Sequence, residues 1–327
     1  MPSSTPKQQQ NRRIVLAQRP PEGPLDTTSV FREETVPLDL PTESGDILVR
    51  ISYVSLDPAM RGWLRDARSY IPPVQIGAVM RASGIGRVVA SRDPAIKVGT
   101  QVLGTFGWQE YWLGKGKHVE VLPPPPPGAK SLDYLGPLGM TGMTAYFGIF
   151  DVGQIKDGET VVITGAAGAV GAVVTQIALL FPKCKVIAIA GSKEKLENLK
   201  KMGCHEVINY KDKDWKEQFK TKVGYLDVYF DNVGGEMLDF ALKRLNPHAR
   251  IVMCGAISDY SELEVSQSFL QAPSLHPAVR QARSSLETSS NMNIVSTSIS
   301  GASDWVRLGP SPRLSLFLSL FFFWLAD

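Results

Sequence analysis

The feature that most constrains this chain is the run Gly165-Ala-Ala-Gly-Ala-Val-Gly171. It lies between an apolar β-type stretch, Thr160-Val-Val-Ile-Thr164, and a helical pattern over residues 169–181. A Gly-rich turn joining a strand to a helix lets backbone approach a phosphate, which then sits at the helix N-terminus. Gly168 and Gly171 occupy the second and third positions of the dinucleotide-binding fingerprint, with Ala166 in the first. Such turns also serve purely structural ends, so the loop has to be weighed with its surroundings. Those surroundings support the binding reading. Further β-type runs at 185–190, 206–210, 227–231 and 250–254 alternate with helical stretches. Ser192 is placed to cap a helix running to Met202, and Gly203 to close it. The alternation predicts an α/β fold with a doubly wound parallel sheet.

The end of the next strand bears on which dinucleotide is bound. Sites for the unphosphorylated form place Asp or Glu there, on the ribose hydroxyls. This chain offers Ala190-Gly191-Ser192, followed by Lys193 and Lys195. A carboxylate would repel a 2′-phosphate, whereas Ser192 and a lysine can bind one. Isolated lysines are as a rule solvated helix-face charges, but the missing acid and the strand-end position favour NADP(H).

Residues 13–122 have a different texture. Short β-like runs at 47–53, 84–90 and 119–122 are separated by Gly, Pro and Asp turns, which predicts a β-rich domain shaped as a small, partly open barrel. Pro123 to Pro127 form an unbroken proline run, extended and stiff, a plausible hinge. The expected organisation is therefore a β-rich domain at 12–127, a dinucleotide-binding domain at 128–261 and an atypical tail at 262–327. The rhythm of strands and helices stops after Tyr260. Residues 314–326 are dominated by Leu and Phe but fall short of the roughly 20 residues a spanning helix needs. We read them as buried or mispacked, with a tail anchor as the lesser alternative.

Charge and composition exclude several classes. The net charge of +3 comes from 35 basic and 32 acidic residues scattered along the chain, without the stripe that nucleic-acid binding requires. Cys184, Cys204 and Cys254 form no C-x-x-C pair, which argues against a disulfide framework and suits a reducing, cytoplasmic location. His118, His205, His248 and His276 show no ligand spacing, so no metal is expected. Residues 1–11 are polar and lack the apolar core of a secretory signal.

Several spaced motifs occur in order: Asp57-Pro-Ala-Met-Arg61, Gly139-Met-Thr-Gly-Met-Thr-Ala-Tyr146, Gly158-Glu-Thr160, Phe230-Asp-Asn-Val-Gly-Gly-Glu236 and Cys254-Gly-Ala-Ile-Ser-Asp-Tyr260. Together they resemble the zinc-independent medium-chain reductases of the prostaglandin reductase, leukotriene B4 dehydrogenase and alkenal double-bond reductase group, over about residues 13–261. The resemblance implies a GroES-like catalytic domain followed by a Rossmann domain, with the active site in the cleft between them. It implies NADPH-dependent reduction of the C=C bond of α,β-unsaturated aldehydes and ketones, small molecules reduced by hydride transfer to the β-carbon.

Site residues follow from the same resemblance. Gly168, Ala169, Val170, Gly171 and Ala172 match the pyrophosphate loop. Lys195 matches the lysine on the 2′-phosphate, with Ser192 and Tyr210 at the same end. Asn232 matches a nucleotide-contacting asparagine. Cys254, Gly255, Ala256, Ile257, Ser258 and Tyr260 match the loop beside the nicotinamide half. Where zinc-dependent relatives carry a Cys, this chain has Ser55-Leu-Asp57. The donor to the substrate's carbonyl oxygen must then be a side-chain hydroxyl, acting on the carbonyl or through the nicotinamide ribose, or a ribose hydroxyl itself. Tyr260 is the first candidate and Tyr53 the second, since Tyr53 matches an active-site tyrosine of the plant members. Each could instead be a half-buried tyrosine with a satisfied hydroxyl. Met60 and Arg61 are expected to shape the domain rather than do chemistry.

Beyond Tyr260 the family continues with a further Rossmann strand and a return to the catalytic domain. Residues 262–327 show neither, and have the texture of a mis-spliced or frameshifted end. That strand usually forms the edge through which the family's homodimer assembles, so the dimer loses its support in this sequence. The departure leaves a second reading open, an NADP(H)-binding relative without turnover.

Overall fold

The computed structural model describes residues 9–67 and 71–260. The expected tail at 262–327, its Leu- and Phe-rich run, His276 and the sought sixth strand lie outside the described residues. The described chain divides into two units, one up to Leu135 and one from Gly136.

The first unit is built on antiparallel pairing. Strands β1 (Gln10–Leu16) and β2 (Phe31–Pro37) form a two-stranded ribbon, with the short helix α1 (Thr27–Val30) between them. Asp26 caps that helix through the Thr28 N–H at 3.0 Å. A five-stranded sheet then orders β6 (Tyr111–Lys115), β3 (Asp46–Val54), β4 (Ser83–Ser91), β5 (Gln101–Thr105) and β7 (Val119–Val121). The predicted runs at 47–53, 84–90 and 119–122 lie on β3, β4 and β7.

Ile47, Val49, Val88, Val102 and Phe106 fill one side of the sheet. Met60, at the start of the helical turn α2 (Met60–Trp63), packs with Leu16, Val30, Leu64 and Met80. Arg61 donates from Nη2 to the carbonyls of Pro21 and Gly23, at 3.2 and 3.1 Å. Met60 and Arg61 thus shape the unit, as expected.

The second unit carries α3 (Met140–Phe147) and then five parallel strands: β8 (Thr160–Ile163), β9 (Lys185–Ala190), β10 (Glu206–Asn209), β11 (Leu226–Asp231) and β12 (Leu245–Met253). Their order across the sheet is β10-β9-β8-β11-β12, so the chain reverses direction beside β8. Four helices connect them: α4 (Ala169–Leu179), α5 (Lys193–Lys201), α6 (Trp215–Lys222) and α7 (Gly235–Ala241). This is the GroES-like plus Rossmann architecture, with ligands expected where the strand order reverses.

Local chemistry explains the elements. Val186, Ile187, Ala188 and Ile189 are all fully buried, which is why β9 reads as an unbroken apolar run. Trp215 and Phe219 share one face of α6 at i, i+4 and meet Phe240 edge-on, with centroids 5.3 and 5.4 Å apart. Helix α4 ends at Leu179, two residues before the expected end. There Leu180 and Phe181 tighten into bonds to the Ile177 and Ala178 carbonyls, because Pro182 disfavours helical backbone at the residue before it.

Candidate functional site

The Gly-rich loop crosses the C-terminal end of β8. Gly165 adopts φ +57°, a left-handed conformation that a residue with a Cβ strongly resists. The turn that the fingerprint assigned to Ala166 is thus made one residue earlier. Ala166 is fully buried, and its N–H donates to the Ile189 carbonyl at 3.1 Å, anchoring the loop to β9.

Gly171 is required for a different reason. A Cβ there would collide with the Gly165 carbonyl oxygen and stand 2.8 Å from Ala166 Cα. Its absence lets α4 start directly against the turn. The N-cap is Gly168, which has no side chain to satisfy the first-turn amides. Ala172 N–H donates to the Gly168 carbonyl, while Ala169, Val170 and Gly171 precede the first possible intrahelical bond. Their amides form the positive end of an eleven-residue helix, a site suited to a pyrophosphate.

The end of β9 presents no carboxylate. Ser192 caps α5, its hydroxyl accepting from the Lys195 amide at 3.3 Å. Lys195 shares a cavity of about 160 Å³ with Ala167 and Ala172 of the loop region, so α5 approaches the Gly-rich turn. Tyr210 follows β10, and its N–H donates to the Ala190 carbonyl at 3.2 Å. Its ring lies against Gly191, with 43% of the residue exposed. The fold thus gathers Ser192, Lys195 and Tyr210 at adjoining strand and helix ends.

A second cluster lies at the ends of β11 and β12. Asn232 donates from Nδ2 to the Thr164 carbonyl at 2.7 Å, and its N–H donates to the Thr164 hydroxyl at 2.9 Å. The amides of Cys254 and Gly255 both donate to the Asp231 carbonyl, at 2.8 and 3.0 Å. Ser258 donates its hydroxyl to the Val233 carbonyl at 2.6 Å, pinning the 254–260 loop onto the 232–235 turn. Ile257 is half exposed, and the Ala256 N–H donates to the Tyr260 hydroxyl at 3.4 Å. Burial and the nearby Asp231 charge push the Cys254 thiol up to about 12, so it is a protonated thiol at neutral pH.

Asp231 stands in the Phe230–Glu236 motif beside Asn232, and no local pattern marks its role. It is fully buried and accepts the Thr164 hydroxyl at 2.7 Å together with the amides of Val233 and Gly234. Burial raises its pKa above the ordinary carboxylate value, against the lowering effect of those hydrogen bonds.

Tyr53 belongs to the first unit. The β3–β4 register shifts between Ile51 and Tyr53, and after this bulge Tyr53 faces Ile85 with half its surface exposed. Nearby, Ser55 donates to the Asp57 carboxylate at 2.8 Å. Among the described residues, no group of three or more His, Cys, Asp and Glu side chains is placed to share a metal ion. None of the described helices is long and apolar enough to cross a membrane.

Residues 12–122 match the family described as N-terminal domain of oxidoreductase, and residues 169–293 the one described as zinc-binding dehydrogenase. The chain is 40% identical over 283 residues to the NADPH-dependent curcumin reductase of Escherichia coli (strain K12), covering 86% of this chain and 80% of that protein. The chain belongs to the medium-chain dehydrogenase/reductases. Within that family it sits with the prostaglandin reductase group. It is 40% identical over 239 residues to prostaglandin reductase 1 of Bos taurus, covering 72% of this chain and 70% of that one.

The fold of this medium-chain reductase is similar to the crystal structure of CurA in complex with NADPH from Vibrio vulnificus. That likeness has a TM-score of 0.76 at 34% identity, over 95% of this chain and 89% of that one. The second family match runs on to residue 293, past the point near 261 where the motifs seen in the sequence end.

Proposed function

We propose that this reductase uses NADPH to saturate the C=C bond of α,β-unsaturated aldehydes and ketones. The observation that carries the reading is the paired anion site. Helix α4 begins with an uncapped turn, and the end of β9 has Ser192 and Lys195 where a carboxylate is usual, with the Tyr210 ring from the end of β10 against Gly191. The NADPH bound by CurA and the NADPH dependence named for the Escherichia coli relative support the same cofactor.

When bound, NADPH would supply the hydride to the substrate's β-carbon, and the resulting enolate would take the balancing proton at its α-carbon from water. The chain's own residues bind and orient. The amides of Ala169, Val170 and Gly171 hold the pyrophosphate, with Gly168 and Ala172 shaping the turn. Ser192, Lys195 and Tyr210 read the 2′-phosphate through hydroxyl and ammonium donors. Asn232 and the loop Cys254, Gly255, Ala256, Ile257 and Ser258 line the nicotinamide half.

As the double bond is reduced, the substrate's carbonyl oxygen gains negative charge and needs a hydrogen-bond donor. Tyr260 is the first candidate, since its hydroxyl lies against the 254–260 loop, where its oxygen accepts from Ala256 N–H. Tyr53 is the second candidate.

The test mixes purified full-length chain with NADPH and a medium-chain 2-alkenal. Loss of nicotinamide absorbance with formation of the saturated aldehyde is expected. NADPH binding seen by fluorescence without oxidation of any enal or enone would overturn the reductase reading in favour of a binding protein without turnover. Lys195→Ala should weaken NADPH by about tenfold or more, the worth of one charge-assisted bond, and leave NADH unchanged.

A further inference from the structure

We infer that Gly191 is a specificity-determining position, because its missing side chain forms the seat that holds Tyr210 at the 2′-phosphate end of the cofactor site. The inference rests on the NADPH reading above and extends it to the glycine beneath the Tyr210 ring.

The geometry is direct. A Cβ built on Gly191 would stand 2.6 Å from Cε1, 2.7 Å from Cζ and 2.7 Å from the hydroxyl of Tyr210. Real side chains do not approach so closely, so a methyl group and the Tyr210 ring cannot share this space. Gly191 does not have the left-handed φ that would demand glycine for backbone reasons. The requirement is therefore steric, and the ring is what imposes it.

The backbone of Tyr210 is fixed independently by its N–H bond to the Ala190 carbonyl at 3.2 Å. Only the ring is free to answer a change at Gly191. That ring belongs to a residue 43% exposed, so it can swing into solvent without unfolding the strand ends. Gly191 lies next to Ser192, whose hydroxyl caps the helix carrying Lys195. A seated ring keeps its phenol against Gly191, the residue before Ser192, and a displaced one leaves the 2′-phosphate with fewer donors. The rest of the dinucleotide does not depend on this contact.

The experiment compares Gly191→Ala, Tyr210→Ala and the double variant in the full chain. NADPH and NADH dissociation constants are read by fluorescence titration, and folding by circular dichroism and Tm. Each single change should weaken NADPH by about tenfold with NADH unchanged, and the double should be no weaker than Tyr210→Ala alone. Equal losses for both nucleotides, or losses that multiply in the double variant, would overturn the inference. A Gly191→Ala chain that fails to fold would also overturn it, since the ring would then not be the part that yields. Tyr210→Ala, an exposed change, still reports whether Tyr210 separates the two nucleotides. Wild-type chain that binds no NADPH would remove the proposed function itself. Wild-type binding with additive variants removes the seat alone.

Discussion

The Thr164 hydroxyl donates to the buried carboxylate of Asp231 at 2.7 Å, although 66 residues lie between them, and it also accepts the Asn232 amide at 2.9 Å. Through this pair the end of β8, where the Gly-rich loop begins, is fastened to the end of β11. Because Asp231 also accepts from Val233 and Gly234, and its carbonyl takes the amides of Cys254 and Gly255, one residue joins the segments that follow β8, β11 and β12.

Asp231→Ala should cost about 3 kcal/mol of stability, since it takes the acceptor from the Thr164 hydroxyl and the Val233 and Gly234 amides. The pH dependence has a definite sign. Burial raises the folded-state pKa above the unfolded value near 4, so the folded chain keeps a proton that the unfolded chain has lost. This contribution to stability is present below about pH 4 and declines as pH rises through the folded value. Urea titrations across that range should show wild type losing stability relative to Asp231→Asn as pH increases. A difference that grows in wild type's favour would refute the assigned shift.

Gly171→Ala and Gly168→Ala should separate folding from binding. At Gly171 the added methyl meets backbone on the other side of the turn, which cannot yield cheaply, so Tm should fall by several degrees. At Gly168 the nearest atom is the Gly165 carbonyl oxygen at 3.1 Å, and Tm should move little. Both changes crowd the phosphate turn, so NADPH titrations should show weaker binding in each. Identical Tm values for the two would contradict this account.

Arg250 makes a two-pronged bond to Glu159, with both contacts at 2.7 Å, and also donates to the carbonyls of Gly153 and Gln154 at 2.8 Å. It ties β12 to the segment leading into β8. Arg250→Lys keeps the charge but loses the fork and should cost about 1 kcal/mol, while Arg250→Ala should cost about 2 kcal/mol. Denaturant midpoints test this, and NADPH affinity should be unchanged in both.

Tyr260→Phe removes a hydroxyl whose bond to Ala256 N–H is long, 3.4 Å. Turnover should fall by about 10²-fold, the loss expected when one donor to a developing oxyanion is removed. Unchanged kcat would take Tyr260 out of the mechanism and shift the test to Tyr53→Phe.

Much of this site was legible because its signals are local. The loop from Gly165 to Gly171, the Ser192 cap and the acid missing after β9 are each set by residues a few positions apart. Backbone conformation and capping obey short-range rules, so the order of strands and helices and the preference for a phosphorylated dinucleotide could be read from the chain directly. Small shifts appeared where two local rules competed, as at Pro182 and at the turn made by Gly165 rather than Ala166.

Asp231, Gly191 and the Arg250–Glu159 pair were not legible in that way. Gly191 looks like any loop glycine until β10 places Tyr210 on it, and Asp231 looks like a strand-end residue until Thr164 arrives from β8. Sequence by itself determined the elements, the family and the chemistry of the loop, because those depend on neighbours along the chain. Only tertiary structure decided which residues hold the loop, the cofactor end and the 254–260 segment in register, because close packing and buried hydrogen bonds are made between segments that meet only after folding.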